Sequence, residues 1–186
     1  KQTCTSNWLC RPAITLNSQN GQSNPNVTVK NNLIWDIASG CIWARSPGSN
    51  QVIYSNTCYD YGKVSPDTNS SPNPEGISGG NATNVSNNII YAPNGVNPFD
   101  SSYSGSNNLC GPGESCGTSS RVWSANTMLS TDKNTSNFMR IGSSSEASNS
   151  GYAIPSVARS YDGKVRPPYD IGAFGSSMTG GLQAPS

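Results

Sequence analysis

One short pattern recurs three times and constrains this chain more than anything else. It reads Val27-Thr28-Val29-Lys30-Asn31-Asn32-Leu33-Ile34-Trp35, then Asn50-Gln51-Val52-Ile53-Tyr54-Ser55-Asn56-Thr57-Cys58-Tyr59, then Asn84-Val85-Ser86-Asn87-Asn88-Ile89-Ile90-Tyr91. Each copy is a β-branched run, an Asn, an apolar residue and an aromatic one. Asn32, Asn56 and Asn88 align, in steps of 24 and 32 residues. Self-similarity at such spacing is the signature of a solenoid, in which every copy is one layer that buries its apolar side only by stacking on the next. The copies are therefore expected to be successive rungs of a coiled sheet.

The local chemistry fits strands joined by tight turns. Val27-Thr28-Val29 alternates as a half-buried strand does. Asn31-Asn32 turns the chain, because Asn tolerates left-handed dihedrals. Leu33-Ile34-Trp35 is a second strand, Ala38-Ser39-Gly40 a second turn, and Cys41-Ile42-Trp43 a third strand. Three strands and three turns per circuit make an all-β parallel β-helix. Charged residues are 11% of the chain, with 19 Gly and 13 Pro, yet the apolar residues come in bursts, which favours an ordered β protein over a disordered one. No apolar stretch runs at helical spacing without a Gly, Pro or Asn to break it.

The expected layout follows. Residues 1–26 are a disulfide-pinned entry with a first strand at 13–16. Residues 27–141 hold the rungs, with long insertions at 62–74 and 92–117. Residues 142–174 close the domain, and 175–186 form a flexible Gly/Ser-rich tail. Glu75-Gly76-Ile77-Ser78 resumes the place of Gly40-Cys41-Ile42. Val122 to Leu129 is expected to contribute to a last, degenerate rung, and Asn137 to Ile141 is one more strand candidate.

Six cysteines and no histidine favour disulfides over zinc. Cys4/Cys10 and Cys110/Cys116 are natural local pairs, which leaves Cys41/Cys58 to pair across the middle. Glycosylation sequons stand at Asn26, Asn69, Asn81, Asn84 and Asn134. The net charge is +1 with scattered basic residues, so neither nucleic acid nor an anionic membrane is an expected partner. No apolar run approaches the length of a membrane span and no signal peptide is visible at Lys1, so the chain reads as a mature or trimmed product.

The segment Asp162-Gly163, Arg166-Pro167 and Asp170-Ile171-Gly172-Ala173-Phe174 resembles the C-terminal signature of bacterial secreted right-handed parallel β-helix proteins of the choice-of-anchor Q type. Asn137 to Ile141, Ser143 to Ser145 and Ala147 to Gly151 resemble the stretch that leads into it. With the rungs, the resemblance covers roughly residues 27–174. It implies a secreted, extracellular or cell-surface protein; some relatives are lyases of acidic polysaccharides.

The chemistry is weighed against that background. A lyase needs a cation to neutralise the uronate, a base and an acid. Lys30 and Arg45 are the lyase candidates, but one rung on from Lys30 stands Tyr54 rather than an arginine. Asp36 and Asp60 align across rungs and are candidates for calcium, the one cofactor considered, or for a sugar; as turn residues they need neither. Trp35, Tyr59 and Tyr91, with Trp43 nearby, form either a sugar-stacking surface or a packing stripe. The aligned asparagines read as an internal amide ladder. A Ser-His-Asp site is excluded by the absence of His.

Three or four rungs leave strand edges and apolar core exposed at both ends, and such ends recruit other chains. Either the chain is the C-terminal piece of a longer protein, or copies of itself are the expected partners that cover its ends, and a non-closing contact would then build a filament. Two functions emerge: an extracellular structural or adhesive module that assembles end to end, or a polysaccharide-active protein, lyase-like or merely carbohydrate-binding.

Overall fold

The computed structural model describes residues 12–16, 25–44, 51–63, 74–78, 84–100, 105–154, 159–167 and 169–176. Among them there is no helix. The described residues form eleven short strands: β1 (Ile14–Leu16), β2 (Thr28–Lys30), β3 (Leu33–Trp35), β4 (Ile42–Ala44), β5 (Val52–Tyr54), β6 (Thr57–Tyr59), β7 (Ile77–Ser78), β8 (Asn84–Ser86), β9 (Ile89–Tyr91), β10 (Leu109–Cys110) and β11 (Arg121–Val122).

They form three sheets, ordered β1-β4-β7, β2-β5-β8 and β11-β10-β9-β6-β3, and every strand pairing is parallel. From β2 on, the chain visits the sheets in one cyclic order: β2, β3, β4, then β5, β6, β7, then β8, β9. That coiled order is compatible with a solenoid. The register is the one the repeat predicts, with Ile34 opposite Cys58 opposite Ile90, and Trp35 opposite Tyr59 opposite Tyr91.

The stretch 92–117, expected as an excursion, returns to the sheets. Phe99 bridges to Ile77, Ser106 to Ser86, and β10 pairs with β9; then Thr118 bridges to Ser106 and β11 pairs with β10. The turn between the β2-type and β3-type strands repeats each time with one left-handed residue. These are Asn31, Ser55, Asn87, Asn107 and Ser119, with φ between 51° and 56°. Asn pays little to sit there, which explains its frequency at this corner.

Next to each such residue in the first four turns lies an asparagine whose side chain joins its layer to the next. The Asn56 carboxamide oxygen accepts the Asn32 backbone N–H at 3.0 Å and its side-chain amide at 2.9 Å. Asn88 accepts the same pair from Asn56 at 2.9 and 3.0 Å, and Asn108 from Asn88 at 2.9 and 3.1 Å. Each amide also donates to a strand carbonyl: Asn56 to Val29, Asn88 to Ile53 and Asn108 to Val85. Asn56, Asn88 and Asn108 are at most 1% exposed, so the ladder satisfies polar atoms that burial would otherwise penalise.

Two apolar cores flank the five-stranded sheet. Inside lie Val29, Ile34, Cys41, Ile42, Ile53, Cys58, Ile77, Val85, Ile90 and Cys110. Two disulfides, Cys41–Cys58 and Cys110–Cys116, join this interior; Cys4 and Cys10 lie outside the described residues. On the sheet's other face Leu33, Ile89 and Leu109 meet Met128, Met139, Ile141, Ala147, Ile171 and Phe174. With both faces covered, these strands read as continuous apolar runs.

The covering chain is irregular and runs back across the sheet. Asn137 to Ile141 forms no strand; Phe138 makes a single bridge to Ser130. The contacts that fix the cover are polar. The Gly172 N–H donates to the Asn87 carbonyl at 2.7 Å, and the Ala173 N–H to Thr57 Oγ1 at 2.9 Å. The Arg166 guanidinium, 5% exposed, donates to the carbonyls of Gly172 and Asp170 and to Asn31 Oδ1. Asp170 Oδ2 accepts the Ser176 N–H and hydroxyl at 2.6 and 2.9 Å, which ties down the first residues of the expected tail. Residues 177–186 lie outside the described residues.

Candidate functional site

The aromatic column is where strand register and the irregular cover meet. Trp35, Tyr59 and Tyr91 project from the same position of β3, β6 and β9. Continuing the pairings of β9, β10 and β11 by one residue puts Gly111 next in the column and Trp123 after it. Gly111 carries no side chain there, and Trp123 folds over the gap. Its ring stacks on Tyr91, with centroids 4.4 Å apart and planes 22° apart, and on Tyr59 at 5.7 Å and 28°. Tyr59 and Tyr91 are themselves 6.2 Å apart. Trp35 takes a different partner, the edge of Phe138 at 5.2 Å.

Above these rings opens a groove of about 560 Å³, lined by Tyr59, Tyr91, Pro93, Trp123, Ala125, Met128 and Leu129, and by Ser130, Thr131 and Asp132. Burial raises the Tyr59 phenol above its ordinary range, with Thr131 opposing. Asp132 stands exposed at the rim, with Oδ1 accepting the Asn134 N–H and side-chain amide, both at 2.9 Å. Leu129 is 51% exposed on the same rim. The lining is thus aromatic and apolar below, and hydroxyl and carboxylate at the edge.

The repeat pointed to Tyr59 and Tyr91. It missed Trp123, Thr131 and Asp132. Trp123 was within reach of the sequence, since it continues the column, but the last step between layers has shrunk to 12 residues and no repeat is visible at that spacing. Thr131 and Asp132 come from the cover, which no periodicity marks.

The other candidates are dispersed. Lys30 is exposed on β2, in register with Tyr54, in a different sheet from the groove. Arg45, Asn69 and Asn81 lie outside the described residues. Trp43 is half-buried in β4, between Thr15 and Ser78 in register. Asp36 and Asp60 are both left-handed turn residues, with φ of 54° and 56°. The Lys63 ammonium sits between them, 2.5 Å from Asp36 Oδ1 and 2.5 Å from Asp60 Oδ2. Hydrogen bonding to Lys63 lowers the Asp36 carboxyl below its ordinary range, with burial opposing. The space between the two aspartates is taken by the protein's own cation.

Of the described sequons, Asn26 and Asn134 are exposed, whereas Asn84 lies half-buried in β8 and donates to the Tyr152 hydroxyl at 3.3 Å. Among the described residues no group of three or more His, Cys, Asp or Glu side chains is placed to hold a metal, and no helix is long and apolar enough to cross a membrane. No protein-family model, curated protein or solved structure matches the chain.

Proposed function

We propose that the chain is an extracellular structural or adhesive module, built as a right-handed parallel β-helix and stacking on copies of itself through its ends. The cyclic order of three parallel sheets, bound layer to layer by the asparagine ladder, carries this reading. Such a scaffold spends its polar side chains on holding layers together. Two disulfides suit an oxidising compartment. The resemblance of 162–174 to the choice-of-anchor Q signature supports a secreted or surface setting. At one end of the five-stranded sheet, Arg121 and Val122 of β11 are both exposed, the kind of edge that another copy extends. Light scattering and electron microscopy of the native protein test the assembly. Rods or oligomers that grow with concentration are expected; a monomer throughout the micromolar range overturns the self-stacking form.

A second reading, contact with a carbohydrate, is favoured by the groove over Tyr59, Tyr91 and Trp123. Its lyase form requires a base and a second charged group near the sugar. Lys30 stands on another sheet, and among the described residues Asp132 is the only charged one lining the groove. Absence of ultraviolet-absorbing unsaturated product from a panel of polyuronates would dispose of the lyase form and leave binding untouched.

A further inference from the structure

The geometry points to the groove over Tyr91 and Trp123 as a subsite for an uncharged hexose chain, with Trp123 as its platform and Asp132 as its hydroxyl acceptor. This deepens the carbohydrate reading and rests on it. Four observations converge.

The first is shape. At about 560 Å³ the groove falls within the range of small-ligand sites, roughly 300–1,000 Å³. The second is the arrangement of the rings. Tyr59 and Tyr91 lie under Trp123, so the indole is held from one side by two phenols. That support fixes its orientation before any ligand arrives, and a fixed ring loses little conformational freedom on binding. A pyranose presents a flat face of C–H bonds whose positive edges are attracted to the negative face of an aromatic ring.

The third is the polar rim. Ser130, Thr131 and Asp132 stand along the groove where the outward hydroxyls of a stacked sugar would lie. Asp132 Oδ1 is engaged by Asn134, which orients the carboxylate.

The fourth is charge, and it selects the ligand class. Among the described residues, Asp132 is the one charged side chain lining the groove. Lys63, on the neighbouring turn, is neutralised between Asp36 and Asp60. A uronate or sulfated chain would bring its negative charge to a carboxylate with no lining cation to offset it. A neutral hexose chain brings only hydroxyl donors, which a carboxylate accepts in strong charge-assisted bonds.

The test is calorimetric titration of the intact protein with neutral gluco- and manno-hexaoses and with an oligouronate of the same length. Binding of a neutral hexaose, weakened tenfold or more in Trp123→Ala and by less than threefold in Trp123→Phe, supports the subsite. Circular dichroism and thermal melting confirm that both variants fold. Asp132→Asn is expected to weaken the neutral ligand while narrowing its margin over the uronate. A tighter fit of the oligouronate that is lost in Trp123→Ala would keep the carbohydrate reading and overturn the uncharged ligand class. Neutral binding indifferent to Trp123→Ala would overturn the location. No binding of any arm would overturn both, and would leave the self-stacking scaffold to be judged by its own particle shape.

Discussion

The carboxamide oxygen of Asn88 accepts two hydrogen bonds from a single residue one layer away, the backbone N–H of Asn56 at 2.9 Å and its side-chain amide at 3.0 Å. The same Asn88 amide donates onward to Asn108 and to the Ile53 carbonyl. It is fully buried, at 0% exposure. Asn88→Ala strands the Asn56 N–H in a dry interior, and an unsatisfied buried group of that kind costs about 1–3 kcal/mol before the lost volume is added. Asn32 ends the ladder at a half-buried site, and there the Asn56 oxygen keeps its bond from the Asn32 backbone N–H. Asn32→Ala should therefore cost about 1 kcal/mol and Asn88→Ala about 3 kcal/mol or more. Equilibrium urea unfolding measures both, and equal losses at the two positions would contradict a ladder anchored in its middle.

That ladder also shows why part of the fold was legible and part was not. Asn32, Asn56 and Asn88 were visible because three-residue strands flank each of them. Asn108 plays the same role, but the strand that follows it has only two residues and runs straight into Gly111-Pro112. Layers four and five spend fewer residues per circuit, so the periodic signal fades while the hydrogen bonding persists. The cover was illegible for another reason. Met128, Met139, Ile141, Ile171 and Phe174 reach the sheet through contacts far apart in sequence, with no period of their own. What the sequence did contain was their target: a parallel strand such as Leu33-Ile34-Trp35, apolar at every position, needs something on both faces. The same logic limited the site, where the repeat offered the Tyr59 and Tyr91 rings and the cover supplied the rim.

Gly172 locks the cover to the sheet. Its φ is +93°, and a Cβ there would lie 2.5 Å from Ile89 Cδ1 and 3.0 Å from Thr57 Oγ1. Gly163 has a similar φ of +78° with nothing within 4 Å of the added atom. Gly163→Ala should cost the price of a left-handed alanine alone, about 1–2 kcal/mol. Gly172→Ala adds a clash with the outer core and loosens the hydrogen bonds from Gly172 and Ala173. The expected outcome is faster proteolysis within residues 142–174 of Gly172→Ala than of Gly163→Ala. Equal protection would mean that the cover does not depend on this close approach.

Asp162 makes the cover sensitive to acid. Burial pushes its carboxyl upward, but the hydrogen bond from the Ser160 hydroxyl and the ion pair with Arg140 outweigh it and bring the pKa down to about 2. Arg140 lies 2.7 Å away and also covers the Phe174 ring, 4.7 Å from its centroid. In the unfolded chain the same group titrates at about 3.8. A folded value below the unfolded one means stability that is fully present above that unfolded value and is lost as pH falls through the folded one. The wild type should therefore lose its melting-temperature advantage over Asp162→Asn between about pH 4 and pH 2. An advantage unchanged across that window would show that the Arg140–Asp162 pair does not couple to folding.

Calcium should leave the Asp36–Asp60 turns unchanged, because Lys63 is already there. Its ammonium is 2.5 Å from an oxygen of each aspartate. A calcium ion wants six to eight oxygen ligands, and this corner offers two carboxylates and an ammonium that repels it. Partial exposure of all three side chains keeps the pair weakly stabilising, within the range of surface ion pairs of about 0–1 kcal/mol. Millimolar calcium is thus expected to shift the wild-type melting temperature no more than magnesium does. In Lys63→Ala the two carboxylates face each other without compensation. Their mutual repulsion then gives a divalent ion something to relieve, and a calcium-dependent rise in melting temperature should emerge in that variant alone. A comparable rise in the wild type would show that calcium displaces the lysine, and would return Asp36 and Asp60 to the list of metal ligands.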